Sequence, residues 1–411
     1  MEATEMASPI PTTLKRARAG LFVVFLAQGA GFALLVSRMP TIKDRFSLSD
    51  SDLSLLTVAL PLLAGIATLV TGSLAHRINS QVLLRVAILL EYLALVTIGY
   101  ADTLAVLLPG WVLMGVAFGT VDATMNMKGV ALQQSYGCSI MVGFYAVYSL
   151  AGIVGALAAS ASVASGLSLG LFLTGAAVVL AIPLLATGPW LAAARIQRPT
   201  EPTTTTTPTD AQRNRVPWLP VVSIGVVLTS AYFIESSASS WGAVYVHDTI
   251  GSTQAVAALA FAGYSAAMLL ERVGADVVIR RLGAPTVVRS SALIALVGTA
   301  LVVIAPVAPV AILGFALAGL GLCVIAPLAF AAAGRLDDSG VSVARANSFT
   351  YVGFLLGAGL IGPIADLSSM RIAYVVPLVL SAVVLLNARR IVGPTAAHDV
   401  AMRDGVLSPW K

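Results

Sequence analysis

Residues 189–217 read PWLAAARIQRPTEPTTTTTPTDAQRNRVP. The centre, EPTTTTTPTD, is low-complexity and buries too little apolar surface to repay the entropy of ordering. It reads as a flexible linker. Its setting makes it decisive, because the rest of the chain consists mostly of long apolar runs separated by short connections. The linker cuts that pattern into two halves of similar length.

Hydrophobic residues make up 58% of the 411, charged residues 10%, and the mean hydropathy is +0.92. Soluble domains carry about 25% charged residues. A chain this apolar cannot cover itself with polar groups, so most of it must be solvated by lipid. The net charge of +5 does not indicate nucleic acid, because the basic residues lie between apolar runs and form no continuous face.

Twelve runs are long enough to span a bilayer, which takes about 20 helical residues. They fall near 19–37, 53–75, 81–101, 104–126, 138–161, 167–188, 217–241, 254–273, 286–305, 309–333, 346–366 and 371–388. The prolines of APVAP, 305–309, separate spans nine and ten. The first run follows Lys15, Arg16 and Arg18, is too long for a signal-peptide core, and is expected to be retained. The chain thus reads as an all-α polytopic membrane protein of two six-helix bundles: 1–188, a linker over 189–216, 217–390, and a tail over 391–411. All 24 lysines and arginines except Arg38, Lys43, Arg45 and Arg371 fall on one side of this scheme. The positive-inside rule places that side, with both termini, in the cytoplasm.

The halves echo each other. GSLAHRINSQVLLR, 72–85, follows span two, and LLERVGADVVIRRLGAPTVVR, 269–289, follows span eight. Internal repetition of this kind underlies alternating-access carriers. The pattern resembles the major facilitator superfamily, whose loop signature is G-x-x-x-D-R-x-G-R-[RK]. Gly72 and Arg77 match it, while His76 and Asn79 replace the acid and the second glycine. The second copy keeps Glu271, Arg272 and Asp276. The resemblance implies two pseudo-symmetric bundles and gating roles for Arg77, Glu271, Arg272 and Asp276. GFALLVSRMPTIKDRFSLS at 31–49, DATMNMKG at 122–129, GFYAVYSLAG at 143–152, ESSASSWGAVYV at 235–246 and GFLLGAGLIGPIAD at 353–366 are similar to the fucose permease-like group. They are closer still to uncharacterised bacterial inner-membrane permeases of the YbjJ type. That resemblance implies a plasma-membrane carrier.

A carboxylate within a span is costly and is by default a functional candidate. Three stand out: Glu91, Asp122 and Glu235. Asp122 and Asn126 share one helix face. DATMN also resembles the permeases' E-T-A-A-N, whose glutamate takes part in proton coupling, so the resemblance implies that role for Asp122. Lys128 and Arg38 are candidate partners for it, and Arg38, near the outer face, is also a gating candidate. Glu91 is expected to bond a neighbouring helix. Glu235 lies about 26 Å along span seven at 1.5 Å per residue, in the outer half of a span ending at 241. Gln28, Asn126, Tyr145, Tyr148, Glu235, Trp241, Asn347 and Tyr351 are the expected substrate cavity. Gly115 with Gly119, Gly152 with Gly155, and Gly353 with Gly357 are expected to allow tight helix packing.

Other classes find less support. His76, His247 and His398 lie in loops or the tail, with no H-E-x-x-H, no G-x-S-x-G and no Walker motif. No catalytic residue, metal or cofactor is expected. Cys138 and Cys323 form no C-x-x-C pair and are expected to be buried thiols. The expected partners are a small solute, protons and lipid, for a monomer. A proton-driven exporter, a carrier without proton coupling, a channel and a transport-inactive receptor remain alternatives.

Overall fold

The computed structural model describes residues 11–74, 78–136, 140–193, 218–336 and 341–391. The central linker from 194, the tail from 392, Arg77, His76, Cys138 and His398 lie outside them. Among the described residues, twelve helices are long and apolar enough to cross a membrane. They are Thr12–Val36, Asp50–Thr71, Ser80–Tyr100, Leu104–Gln133, Gly143–Ala164, Leu169–Leu191, Trp218–Thr249, Gln254–Gly274, Pro285–Ile304, Ala308–Ala333, Arg345–Leu367 and Met370–Ala388. Large apolar side chains such as Leu55, Leu69, Val179, Leu270 and Leu386 are exposed along them. That is the pattern of helices whose outer faces meet hydrocarbon rather than water.

The boundaries follow from local chemistry. Asn79 accepts the Gln81 amide, Thr253 the Val256 amide and Ser369 the Ile372 amide, capping spans three, eight and twelve. Asn79, which departs from the loop signature, therefore has a structural reason to be there. Span nine stops at Ile304 and span ten starts at Ala308, with Pro309 in its first turn, as APVAP predicts. Span seven is longer than its hydropathy suggests. Its α-helix runs to Val244 and a π turn continues it over Tyr245–Thr249. Span ten is broken, with α-helix to Leu322 and again from Ile325. The helix of span eight continues to Leu282, so the second copy of the loop signature is helical.

The chain packs as two compact units. Of the described residues, unit 1 comprises 11–31, 63–74, 78–136, 140–151 and 170–193; unit 2 comprises 32–62, 152–169, 218–336 and 341–391. In unit 1, span three lies along span four, and Gly119 sits directly on the backbone of Ala64 in span two. In unit 2, span seven packs along span eleven, and spans eight and nine along span ten. Gly353 and Gly357 meet the backbone carbonyls of Thr229 and Phe233, where any Cβ would collide. These contacts replace a hydrophobic driving force that lipid cannot supply. The core of unit 2 includes Leu228, Ile234, Leu322, Ile325 and Val384, all buried.

Candidate functional site

In unit 1 the polar residues gather around Asp122. Asn126, one turn on, donates from Nδ2 to the Asp122 carbonyl at 2.9 Å and to Oδ1 at 3.2 Å. The Tyr145 hydroxyl donates to Asn126 Oδ1 at 2.9 Å. A hydrogen-bonded chain thus runs from span five to the span-four carboxyl. The Tyr145 ring meets Phe25 edge-on, which holds it there. Gln28 is buried; its Nε2 donates to the Phe118 carbonyl at 3.3 Å, and its Oε1 has no hydrogen-bond partner among the described residues. Tyr148, on span five, has its backbone against Gly29 of span one.

Glu91 belongs to the same group. It is 1% exposed and interacts electrostatically with Asp122. The expected bond to a neighbouring helix is not made by Oε1, which has no hydrogen-bond partner among the described residues. Gly31 makes room for it, since a Cβ there would come to 3.0 Å from Oε1. The sequence marks Glu91 as costly, but its pairing with Asp122 needs the helix register. Of the two suggested partners of Asp122, Lys128 donates to the Leu191 carbonyl and Arg38 to Ser162 Oγ.

Unit 2 holds a second group. Because span seven reaches Thr249, Glu235 lies near its middle and not in an outer half. The Arg272 guanidinium of span eight interacts with it electrostatically. Next to Arg272, the Glu271 carboxylate accepts the backbone N–H groups of Cys323 and Val324, the two residues at the break in span ten. Cys323 also bonds Arg272, and its Sγ lies 3.8 Å from the Met268 carbonyl. It is partly exposed, not the fully buried thiol expected. Tyr264 is 3% exposed and interacts with Glu235, Glu271, Arg272 and Cys323, yet its hydroxyl has no hydrogen-bond partner among the described residues. Glu271 and Arg272, gating candidates at the expected end of span eight, sit within its helix, which continues to Leu282. The side chain of Asp276 lies outside the described residues.

Trp241 does not line a cavity. It is 0% exposed, and its indole Nε1 donates to the Ala358 carbonyl at 2.9 Å, tying span seven to span eleven. Tyr245 is likewise committed, donating to the Val302 carbonyl within a cluster of Phe315 and Tyr374 rings. The hydroxyls of Ser237 and Ser239 bond back to their own helix. Asn347 and Tyr351 are exposed on span eleven.

A third group lies within unit 2, at the loop after span one. The Lys43 ammonium bonds Asp248 and, at 2.6 Å, Asp50. Gln254 donates to Asp44 at 2.7 Å and accepts from Thr41 at 2.7 Å. Asp366 accepts the amides of Ser51 and Asp50 at 2.7 and 3.2 Å. Arg38, 4% exposed, donates to Ser162 Oγ at 3.0 Å. Burial works to lower the pKa of Lys43, but its hydrogen bonds and charge contacts with Asp248 and Asp50 outweigh it and hold the pKa above the usual lysine value. Burial lowers that of Arg38. Asp44, His247 and Asp248 bring ligand-type atoms within 4.8 Å of one another. Lys43 and Gln254 already occupy oxygens of the two aspartates. A signal for this latch was in the sequence: three of the four basic residues on the unexpected side are Arg38, Lys43 and Arg45.

Residues 21–337 match the family model of the Major Facilitator Superfamily. An uncharacterized transporter of Sinorhizobium fredii is 28% identical over 90% of this chain and 96% of its own length. An uncharacterized MFS-type transporter of Yersinia pestis is 29% identical over 90% and 94%. Among solved structures, the nucleoside transporter NupG superposes with a TM-score of 0.70 at 15% identity, covering 93% of this chain and 100% of that one. The transporter FucP in its outward conformation gives 0.59 at 14% identity, over 93% and 100%. At such identities the structural likeness concerns the fold.

Proposed function

Since the chain belongs to the Major Facilitator Superfamily and is a membrane transporter, we propose that it carries a small polar or amphipathic solute by alternating access, coupled to a proton held at Asp122. The observation that carries this reading is the chain Tyr145–Asn126–Asp122 beside Glu91. Two carboxyl groups that interact in a low-dielectric site cannot both ionise cheaply, so the pair tends to keep a proton. Asn126 and Tyr145 supply the hydrogen bonds that a solute hydroxyl or amide would exchange with. Gln28, with an unused carbonyl oxygen, and Tyr148 extend that polar surface. On this reading both termini are cytoplasmic and the Lys43 latch lies outside, which the distribution of lysine and arginine supports. The latch then closes the outer end.

The test starts from a thermal-stabilisation screen of small polar solutes on the purified protein. A stabilising solute is then assayed in proteoliposomes with and without a pH gradient. Asp122→Asn is expected to abolish accumulation driven by the gradient while counterflow exchange persists. Wild-type accumulation with unchanged pH dependence in that variant would refute the coupling role.

A further inference from the structure

The end of unit 1 at which span one begins is basic, with no counter-charge among the described residues. Lys15, Arg16, Arg18, Arg85 and Lys128 lie toward it. The described acids of unit 1 are Glu91 and Asp122, both within spans, and Asp102, past the opposite end of span three.

Arg85 is the cation that this end is shaped around. Its guanidinium lies directly on Gly188 at the end of span six, where any Cβ would collide with Nε, Nη2 and Cζ. Nε is buried there and has no hydrogen-bond partner among the described residues. Arg85 makes no ion pair among them either. Capping span six does not explain the arginine, because other side chains do that. Gln81 Nε2 donates to the Gly188 carbonyl at 2.6 Å, and Lys128 Nζ to the Leu191 carbonyl at 3.3 Å. A half-buried guanidinium without an acceptor is costly, and an anion would offset that cost.

Arg85 is also the charged member of a half-open cleft between spans one, three and six. Val24, Leu84, Leu89, Leu184 and Leu185 form most of the remaining lining. Leu89 and Leu185 are exposed, so the cleft opens on a face that meets hydrocarbon. Arg85 lies about 7.5 Å inside the start of span three at Ser80. Trp190, exposed just past Gly188, is an aromatic of the kind that settles at headgroup level. A cation at headgroup depth thus adjoins an apolar groove. The pair suits a ligand that is anionic at one end and apolar along its length.

We propose that this cleft holds one anionic phospholipid from the leaflet on the N-terminal side, its phosphate on Arg85 and one acyl chain between spans one, three and six. Basic pockets between membrane helices take such headgroups. Arginine suits the contact because its planar head offers several donors to a phosphate and is weakly hydrated. Lys128, bonded to the carbonyl of Leu191 in the cleft wall, adds positive potential. The site depends neither on the solute carried nor on Asp122.

Native mass spectrometry of the purified full chain in detergent tests this, with phosphatidylglycerol or phosphatidylcholine added in steps. Wild type should retain one phosphatidylglycerol more tightly than any phosphatidylcholine. Arg85→Gln should weaken that first binding about tenfold, the lower end for a hydrogen bond to a charged group. Leu89→Trp keeps the charge and fills the groove, and should weaken it too. Arg281→Gln, which removes an exposed cation of unit 2, should leave it unchanged. Equal binding by wild type and Arg85→Gln would overturn the proposal, and so would equal weakening by Arg281→Gln, the mark of diffuse attraction to a basic surface. Full displacement of the lipid by millimolar inorganic phosphate would also overturn it, since the groove would then contribute nothing. If Arg85→Gln does not fold, Leu89→Trp and the phosphate competition decide: undiminished binding by Leu89→Trp would rule out the acyl chain in the cleft.

Discussion

The two acid groups within the spans solve the same problem in opposite ways. In unit 1, Glu91 interacts electrostatically with Asp122, a like charge, and Asp122 accepts a hydrogen bond from Asn126. In unit 2, Glu235 and Glu271 each interact electrostatically with Arg272, an opposite charge. A like-charged pair is relieved by a proton or by removing one member. An ion cluster is broken by removing its cation. The halves echo each other in loops and spans, yet substitutions of similar size should act with opposite sign in the two groups.

The largest effect is expected at Arg272. Arg272→Leu strands two carboxyls and should destabilise the protein by about 3 kcal/mol, the lower end for a broken buried pair because the group is partly accessible. Thermal unfolding in detergent would show it, and adding Glu235→Gln should recover most of the loss. No recovery would mean that Arg272 acts through packing, and the contrast between the groups would fail. Next comes Glu91→Gln, which removes the like charge beside Asp122 while keeping shape. It should stabilise by about 1 kcal/mol. A loss of stability instead would show that the Glu91 charge is compensated and that unit 1 resembles unit 2.

The smallest effect is expected at the latch, a partly exposed ion cluster. Lys43→Met should cost about 1 kcal/mol or less, read as a small fall in melting temperature. The sign with pH is set by the raised Lys43 pKa. A lysine whose folded pKa exceeds its unfolded value contributes fully below about pH 10.4, and its contribution is lost as pH rises through the folded value. Wild type and Lys43→Met should therefore converge in stability at high pH. A constant gap would remove the ionic explanation of the latch.

Much of the fold was legible because its solvent is legible. Hydrocarbon requires long apolar helices with internally satisfied backbones, so length and hydropathy mark each span. The places where the reading failed are polar ones inside spans. Span seven ends at Thr249, eight residues past the expected 241, because Tyr245 and Trp241 bury their polar tips on Val302 and Ala358 instead of meeting an interface. Trp241 looked like a recognition aromatic for the same reason. Span eight was expected to end at 273, just past Glu271 and Arg272, since nothing in LLERVGADVVIRR announces that the helix continues to Leu282.

By itself the sequence determined the twelve membrane helices and which residues are too costly in lipid to be accidental. These depend on composition and on periodicity within one segment. The tertiary structure alone decided which costly residues meet: Glu91 with Asp122, Glu235 with Arg272, and Glu271 with the break in span ten. Hydropathy is a property of a helix and its solvent. Pairing depends on the register and rotation of one helix against another, which small-residue contacts such as Gly353 on Thr229 set at the level of single side chains.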